Sequence, residues 1–170
     1  EALLNIRAVA LSLDPPFTWV SGIRSPIYCD NRLLISHPAE RTLVVDRFVE
    51  QIESMPVKPD VIAGTATSGI PFAAWVADRL NLPMVYVRAA KKEHGKGKAI
   101  EGHLAAGAKA LVIEDLISTG KSSVAVVHHL KDAGADVTGV LAIFSYEMAK
   151  AAATFAEVNL EPRPLETISS

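Results

Sequence analysis

The chain has 170 residues, 49% of them hydrophobic, and a formal net charge of -2 at pH 7. That length and hydrophobic content predict one folded domain with a substantial core and exclude a disordered chain. The near-neutral charge gives no general affinity for nucleic acid, and no apolar run is long enough to cross a membrane. The single cysteine, Cys29, excludes an internal disulfide and favours a reducing, cytoplasmic setting. Because the sequence starts at Glu1 without methionine and stops at Ser170, we expect both termini to be incomplete.

The first part of the chain predicts helices on either side of an irregular region. Residues 2–13 have the apolar spacing of a helix. Residues 14–35 are rich in proline and glycine and predict short strands and turns outside the main sheet. A second helix is predicted to open at Pro38, and four apolar residues are expected to share its buried face: Leu43, Val44, Phe48 and Ile52.

From Asp60 onwards, short apolar segments alternate with helical ones. The predicted strands are residues 60–64, 83–88, 109–115 and 137–144, and the predicted helices are residues 70–81 and 121–134. Strands that are apolar on both faces and alternate with helices indicate a parallel sheet covered on both sides. The sequence therefore predicts an α/β fold.

The stretch ALVIEDLISTGKSS, residues 110–123, carries the strongest functional signal. Its turn of small, hydroxyl-bearing residues leads into a helix, and such a turn at the carboxyl end of a strand predicts a phosphate site. The adjacent Glu114 and Asp115 repel phosphate but accept hydrogen bonds from hydroxyls. Together they predict a ligand that carries both groups, such as a ribose 5-phosphate. An acidic strand end with an ordinary Ser or Thr helix cap is the alternative, and it explains the acid pair but not the whole run.

A basic segment interrupts the alternation between two predicted strands. Residues 88–104, RAAKKEHGKGKAIEGHL, are rich in lysine and glycine with little apolar content. We interpret the first half of this segment as a long mobile loop, a common place for functional residues. The alternative is an ordinary solvated surface.

Several segments together carry a resemblance to a known family. VIEDLISTGKSS resembles the phosphoribosyl pyrophosphate (PRPP) motif of the type I phosphoribosyltransferases. More narrowly, FTWVSGIRSPIYCDNR, GTATSGIP, VYVR with KEHG, and IEG are similar, in the same order, to segments of the orotate phosphoribosyltransferases. The resemblance runs from about residue 3 to about residue 147. It implies a parallel-sheet type I phosphoribosyltransferase fold with a small N-terminal hood: a single domain of residues 1–170, with the hood at about 1–36, the core at about 37–150 and a mobile catalytic loop at about 89–100.

The resemblance also implies an activity. Members of this family transfer ribose 5-phosphate from PRPP to orotate, giving orotidine 5′-monophosphate and pyrophosphate in UMP biosynthesis. Mg²⁺ is expected as cofactor, carried by PRPP rather than by a protein metal site. A homodimer that shares the loop between subunits is implied, and neither nucleic acid nor a membrane is an expected partner. A phosphoribosyltransferase for a purine or uracil and a PRPP-sensing regulator of the same fold are the alternatives; the hood motif and the retained basic loop favour the orotate enzyme.

The resemblance assigns roles to individual residues. Lys92 and Asp115 match catalytic positions, with Lys92 stabilising the pyrophosphate leaving group. Ser118 is expected near orotate as well as PRPP, and the TATSG turn, residues 65–69, would cradle pyrophosphate, although alone it would be an ordinary strand-to-helix connection. The full set of predicted PRPP-binding residues is Arg88, Lys92, His94, Glu114, Asp115, Leu116, Ile117, Ser118, Thr119, Gly120, Lys121 and Ser122.

Some positions depart from the family pattern or stay open. Many relatives carry a further lysine just after the arginine, but Ala89 and Ala90 follow it here, and whether Lys91 substitutes is undecided. Arg24 could meet the orotate carboxylate, support a dimer or lie on the surface. Tyr28 is expected in the core of the hood rather than against the base.

Overall fold

The computed structural model describes residues 1–19, 22–90 and 98–170. These residues divide into two compact units, Glu1–Leu43 and Val44–Ser170. The first unit contains α1 (Ala2–Asn5), β1 (Val9–Leu11), β2 (Phe17–Thr18), β3 (Arg24–Ser25), β4 (Ile27–Cys29), a 3-10 helix (Asn31–Ser36) and the start of α2 (Pro38–Ser54). The short strands predicted for residues 14–35 are therefore confirmed.

The helix predicted over residues 2–13 is wrong beyond its first turn. Helix α1 ends at Asn5, Arg7 adopts a left-handed backbone with φ 57°, and Val9–Leu11 then pairs antiparallel with β4. The local helical spacing is overridden here by a tertiary contact, the pairing of β1 with β4, which lies further along the chain. In the same unit Cys29 is buried, whereas Tyr28 is 38% exposed and packs its ring 5.7 Å from that of Phe17. The expectation that Tyr28 lies in the core of the hood is therefore wrong.

The face predicted for α2 is correct except at one position. Val44, Phe48 and Ile52 are buried, whereas Leu43 is 59% exposed. At about 100° per residue, Leu43 lies roughly 140° around the helix axis from Phe48, which places it outside the apolar stripe.

The second unit is built on one six-stranded sheet. Its elements after α2 are β5 (Val61–Thr65), α3 (Ile70–Leu80), β6 (Met84–Val87), β7 (Ile100–Glu101), β8 (Lys109–Ile117), α4 (Lys121–Asp132), β9 (Asp136–Ser145), α5 (Ala149–Ala156) and β10 (Arg163–Thr167). The strand order is β10-β9-β8-β5-β6-β7, and every neighbouring pair is parallel except the antiparallel β6–β7 pair. The predicted α/β fold with a parallel sheet is confirmed.

The core of this unit lies on the central strands. Ile62 on β5, Leu111 on β8 and Leu141 on β9 are fully buried, as are Phe72 from α3 and Leu130 from α4. Burial on both faces explains why these strands are nearly continuous apolar runs in the sequence. Within residues 1–19, 22–90 and 98–170, no helix is both long and apolar enough to span a membrane.

The packing of α3 against β5 depends on the absence of a side chain at Gly64. A Cβ atom there would lie 2.9 Å from the Cβ of Ala73 and 3.2 Å from the Cα of Ile70. We expect Gly64→Ala to lower the free energy of unfolding by about 1–3 kcal/mol, because the helix must move away from the strand. Urea unfolding at constant m-value measures the change.

The matched control is Gly139→Ala on β9. A Cβ atom at Gly139 would first meet Leu111 Cδ1 at 3.4 Å, an ordinary contact. This variant should keep or slightly raise the unfolding free energy. Equal losses in both variants would contradict the close approach of α3 to β5 as the cause.

Candidate active site at the carboxyl edge of the sheet

Three of the sequence-predicted features lie together at the carboxyl edge of the sheet. The TATSG turn follows β5, Arg88 follows β6, and the acid pair lies near the end of β8. Thr65 and Val87 are register partners, and the Ala66 amide donates to the Val87 carbonyl at 2.9 Å. The TATSG turn, the candidate pyrophosphate turn, is thereby hydrogen-bonded to the residue that precedes Arg88.

Gly69 lets the TATSG turn pack against β8 next to the acid pair. A Cβ atom at Gly69 would lie 2.6 Å from the Ile113 carbonyl oxygen and 2.8 Å from that of Thr65. Only glycine permits this approach without a backbone shift, so the turn after β5 packs directly on the residue before Glu114. The hydroxyl of Thr65 is buried there without a hydrogen-bond partner among the described residues, which leaves a donor within this turn.

The sequence had suggested that the acid pair ends its strand, but the strand continues beyond it. β8 pairs with β5 only as far as Ile113, opposite Gly64, but it pairs with β9 through Ile117, opposite Ser145. The predicted strand end at Asp115 is therefore wrong by two residues, because β9 is longer than β5 and continues the ladder. Glu114 and Asp115 lie where β8 is hydrogen-bonded on one side only.

The two acids differ sharply in their surroundings. Glu114 is 3% exposed, and its two oxygens accept hydrogen bonds from the Ser123 hydroxyl at 2.8 Å and the Asp115 amide at 3.0 Å. Burial raises the pKa of the Glu114 carboxyl well above its ordinary value, and the neighbouring Asp115 charge adds to that rise. Asp115 is only half-buried, so it is the more accessible of the two carboxylates.

The predicted phosphate turn leads directly into α4. Ser118 and Thr119 are half-buried, and Gly120 has φ 77° with Phe155 ring atoms 3.0 Å from where a Cβ atom would stand. Lys121 starts α4, so the first amides of this helix of twelve residues are open to an anion.

Among the other predicted PRPP-binding residues, Ser122 is exposed and Leu116 is half-buried. The Ile117 side chain is buried in the core, and its carbonyl accepts from the Tyr146 amide.

Arg88 is held by residues that the sequence had not singled out. Its Nη1 donates to Glu101 at 2.8 Å, and its guanidinium carbon lies 5.3 Å from the centroid of the Tyr86 ring. The hydrogen bond to Glu101 raises the pKa of the Arg88 guanidinium. The segment IEG, noted only for its resemblance, was the one available signal for Glu101.

Other candidates belong to the N-terminal unit or lie outside the described residues. Lys91, Lys92 and His94 belong to residues 91–97, which are not among the described ones. Arg24 is exposed on β3 of the N-terminal unit. His129 on α4 places Nε2 3.1 Å from the Ala89 carbonyl oxygen.

The described part of the candidate site offers few ligands for a metal ion. Among residues 1–19, 22–90 and 98–170, no three His, Cys, Asp or Glu side chains are grouped so that they could hold a metal ion. Two adjacent carboxylates, one already accepting two hydrogen bonds, supply too few oxygens for a Mg²⁺ cage, but they fit an ion that keeps waters and substrate oxygens.

The buried Glu114 predicts a particular dependence of stability on pH. Its pKa is raised in the folded protein, so the folded state binds this proton more tightly than the unfolded chain. The stability contributed by this group is full below the ordinary value of 4.5 and is lost as pH rises through the raised pKa. We expect Glu114→Gln, which cannot ionise, to remove this loss of at most about 1.4 kcal/mol per pH unit.

Urea unfolding from about pH 4 to about pH 8 checks the expectation, and exposed Glu157→Gln is the control. The control should keep the wild-type pH dependence. A Glu114→Gln profile that parallels the wild type would contradict a strongly raised pKa.

Comparisons with known proteins agree with this geometry. A family model described as "Phosphoribosyl transferase domain" matches residues 35–158. An orotate phosphoribosyltransferase of Listeria monocytogenes is 57% identical over 150 residues, which are 88% of this chain and 72% of that protein.

Solved structures give the same result. The crystal structure of orotate phosphoribosyltransferase from Aeropyrum pernix superposes with a TM-score of 0.82 at 25% identity, covering 99% of this chain and 93% of that one. The Mycobacterium tuberculosis H37Rv orotate phosphoribosyltransferase in complex with PRPP has a TM-score of 0.74 at 25% identity, covering 99% of this chain and 94% of that one. The type I phosphoribosyltransferase fold expected from the sequence is confirmed. The acid pair, the phosphate turn and these matches together show that the chain belongs to the phosphoribosyltransferase family and, within it, to the orotate phosphoribosyltransferases.

Proposed function

We propose a division of labour among this chain's residues for the transfer of ribose 5-phosphate from PRPP to orotate. The observation that carries it is the grouping of the TATSG turn, Arg88 and the Glu114–Asp115 pair at one edge of the sheet. An anion-binding turn, a cation and hydroxyl acceptors are the three kinds of group that PRPP needs.

The acid pair binds the ribose hydroxyls in this proposal. Asp115 is half-buried and accepts a hydrogen bond directly from a ribose hydroxyl. The Glu114 oxygens accept bonds from Ser123 and from the Asp115 amide, and each oxygen has a second lone pair for a sugar hydroxyl. Glu114 thus also fixes the backbone from which Asp115 projects, and the sugar is positioned for attack at its anomeric carbon.

The turn before α4 binds the 5-phosphate. The backbone amides at the start of the helix donate to phosphate oxygens, and the hydroxyls of Ser118, Thr119 and Ser122 add donors. Ser118 stands at the beginning of this turn and lies close to orotate as well as to the phosphate. In this proposal the reacting base lies beside the 5-phosphate turn.

The pyrophosphate group of PRPP is held on the other side of the sugar. The TATSG backbone and the Arg88 guanidinium bind its oxygens, and the guanidinium fork suits them geometrically. As the bond between the anomeric carbon and pyrophosphate breaks, negative charge grows on the leaving oxygens and the sugar becomes cation-like. Lys92 and His94 stabilise that charge, an interaction stronger in the transition state than in the ground state.

PRPP would bring its own Mg²⁺, which would supply neutralisation of the pyrophosphate charge. A homodimer in which the segment with Lys92 acts on the neighbouring subunit's site completes the proposal. A reducing cytoplasm fits the single cysteine, Cys29.

The base specificity is tested by offering orotate, uracil and hypoxanthine in parallel with PRPP and Mg²⁺. Only orotate should be converted to its nucleotide, with release of pyrophosphate measured by a coupled assay. Turnover of uracil or hypoxanthine at a comparable kcat/KM would overturn the assignment of the base.

The sharing of the site between subunits is tested with mixed dimers. Lys92→Ala and Asp115→Asn should each lower kcat by about a hundredfold or more. If Lys92 serves the neighbouring site, a Lys92→Ala subunit paired with an Asp115→Asn subunit forms one intact site and one doubly defective site. Activity near half that of the wild-type dimer should return.

The reciprocal pairing is the control. A subunit carrying both substitutions, paired with a wild-type subunit, should be nearly inactive in the shared arrangement because each site then holds one defect. If that dimer is half-active and the first pairing is inactive, Lys92 serves its own subunit and the shared site is wrong.

A further inference from the structure

Three side chains form a cluster at the edge of the sheet beside the candidate pyrophosphate turn. Tyr86 and Glu101 are register partners on β6 and β7, so their side chains share one face, and Arg88 lies two residues beyond Tyr86 on the same face. The Arg88 Nη1 donates to Glu101 at 2.8 Å, and the guanidinium lies against the Tyr86 ring. The Arg88 amide also donates to the Ala99 carbonyl at 2.9 Å, which fixes the backbone from which the guanidinium extends.

In this cluster Arg88 can still bind an anion, but the negative charge of Glu101 partly offsets its positive charge. A guanidinium has five donors, so one hydrogen bond to Glu101 leaves others for phosphate oxygens. The Arg88 and Glu101 side chains are 28% and 38% exposed, so solvent reaches both. A pyrophosphate bound at this guanidinium therefore also feels the carboxylate of Glu101.

We propose that Glu101 sets the affinity of this site for pyrophosphate: its carboxylate offsets the Arg88 charge and keeps the product from being held too tightly. The proposal rests on the proposed contact between Arg88 and pyrophosphate. In it Glu101 acts through Arg88 and through space, without touching the reacting atoms. Its consequence is faster release of pyrophosphate at the cost of weaker PRPP binding.

Two effects of Glu101 oppose each other, and their sizes decide the sign. Holding Arg88 in one orientation favours anion binding, but a partly exposed ion pair is worth no more than about fivefold. Repulsion between the carboxylate and an anion about 6 Å away ranges from roughly threefold in bulk water to roughly a hundredfold at the effective dielectric of a protein surface. Pyrophosphate carries more than one charge, so we expect repulsion to dominate by about three- to tenfold after screening by Mg²⁺ and salt.

The test is the inhibition constant of pyrophosphate, measured against PRPP with orotate and Mg²⁺ at fixed ionic strength. Glu101→Gln keeps a hydrogen-bond acceptor for Arg88 but removes the charge. We expect the inhibition constant to fall about three- to tenfold and KM for PRPP to fall with it. The difference from the wild type should shrink at high salt. Loss of structure would weaken binding instead, so a tighter constant separates this role from a merely structural one.

The matched control is Glu166→Gln. Glu166 is exposed on β10, the opposite edge strand of the same sheet, five strands or about 24 Å from β7. Glu166→Gln should leave both the inhibition constant of pyrophosphate and KM for PRPP unchanged. If Glu101→Gln is poorly folded, Glu101→Ala, which leaves no polar group to bury, takes its place in the same measurement.

The Arg88→Met background separates failure of the proposal from failure of the proposed contact. In support, Arg88→Met raises the inhibition constant, and adding Glu101→Gln to it lowers the constant at least as much as in the wild type, because the repulsion is still removed and no orientation of Arg88 is lost. If Arg88→Met raises the constant but Glu101→Gln leaves it unchanged or raises it, the role of Glu101 is wrong while the Arg88 contact stands. If Arg88→Met leaves the constant unchanged, the Arg88 contact itself is wrong, and the role of Glu101 falls with it.

Discussion

The unequal lengths of three neighbouring strands determine the site. β8 is hydrogen-bonded to β5 as far as Ile113, and from there to Ile117 it is paired with β9 alone. The backbone of Glu114 and Asp115 is therefore rigid, since one ladder continues, yet the space next to it is vacated by β5 and occupied by the turn that follows it. This arrangement places an acid pair on a strand, where its position is better fixed than on a loop.

Glycine at two positions lets the elements around this space approach one another. Gly69 allows the turn after β5 to pack on the Ile113 carbonyl, and Gly120 combines a positive φ with close contact to the Phe155 ring. The first contact joins the pyrophosphate-turn candidate to β8, and the second ties the phosphate-turn candidate to α5. Both candidate turns thus adjoin β8, since the first packs on Ile113 and the second follows the strand directly.

The acid pair also shows how two adjacent carboxyl groups can differ in burial and in ease of ionisation. Glu114 is buried, holds Ser123 and has a raised pKa, whereas Asp115 is more accessible. Two carboxylates side by side are expected to differ in this way, because burial of one and the charge of the other both oppose a second ionisation. The same logic of opposed charges recurs at Arg88, where Glu101 is the partner of a cation expected to meet an anion.

The sequence by itself determined the α/β class, the four central strands, the helices between them and the family, because strands buried on both faces are continuous apolar runs and the phosphate turn has a fixed residue order. It missed β7, α5 and β10. The two strands gave a weak signal, since β7 has two residues and β10 is an edge strand with charges and a proline. The exposure of Leu43, the length of β8, the burial of Glu114 and the pairing of Arg88 with Glu101 were decided only by the tertiary structure. Each of these depends on which neighbour a residue meets across the sheet, and that neighbour lies at a distance along the chain that local spacing does not encode.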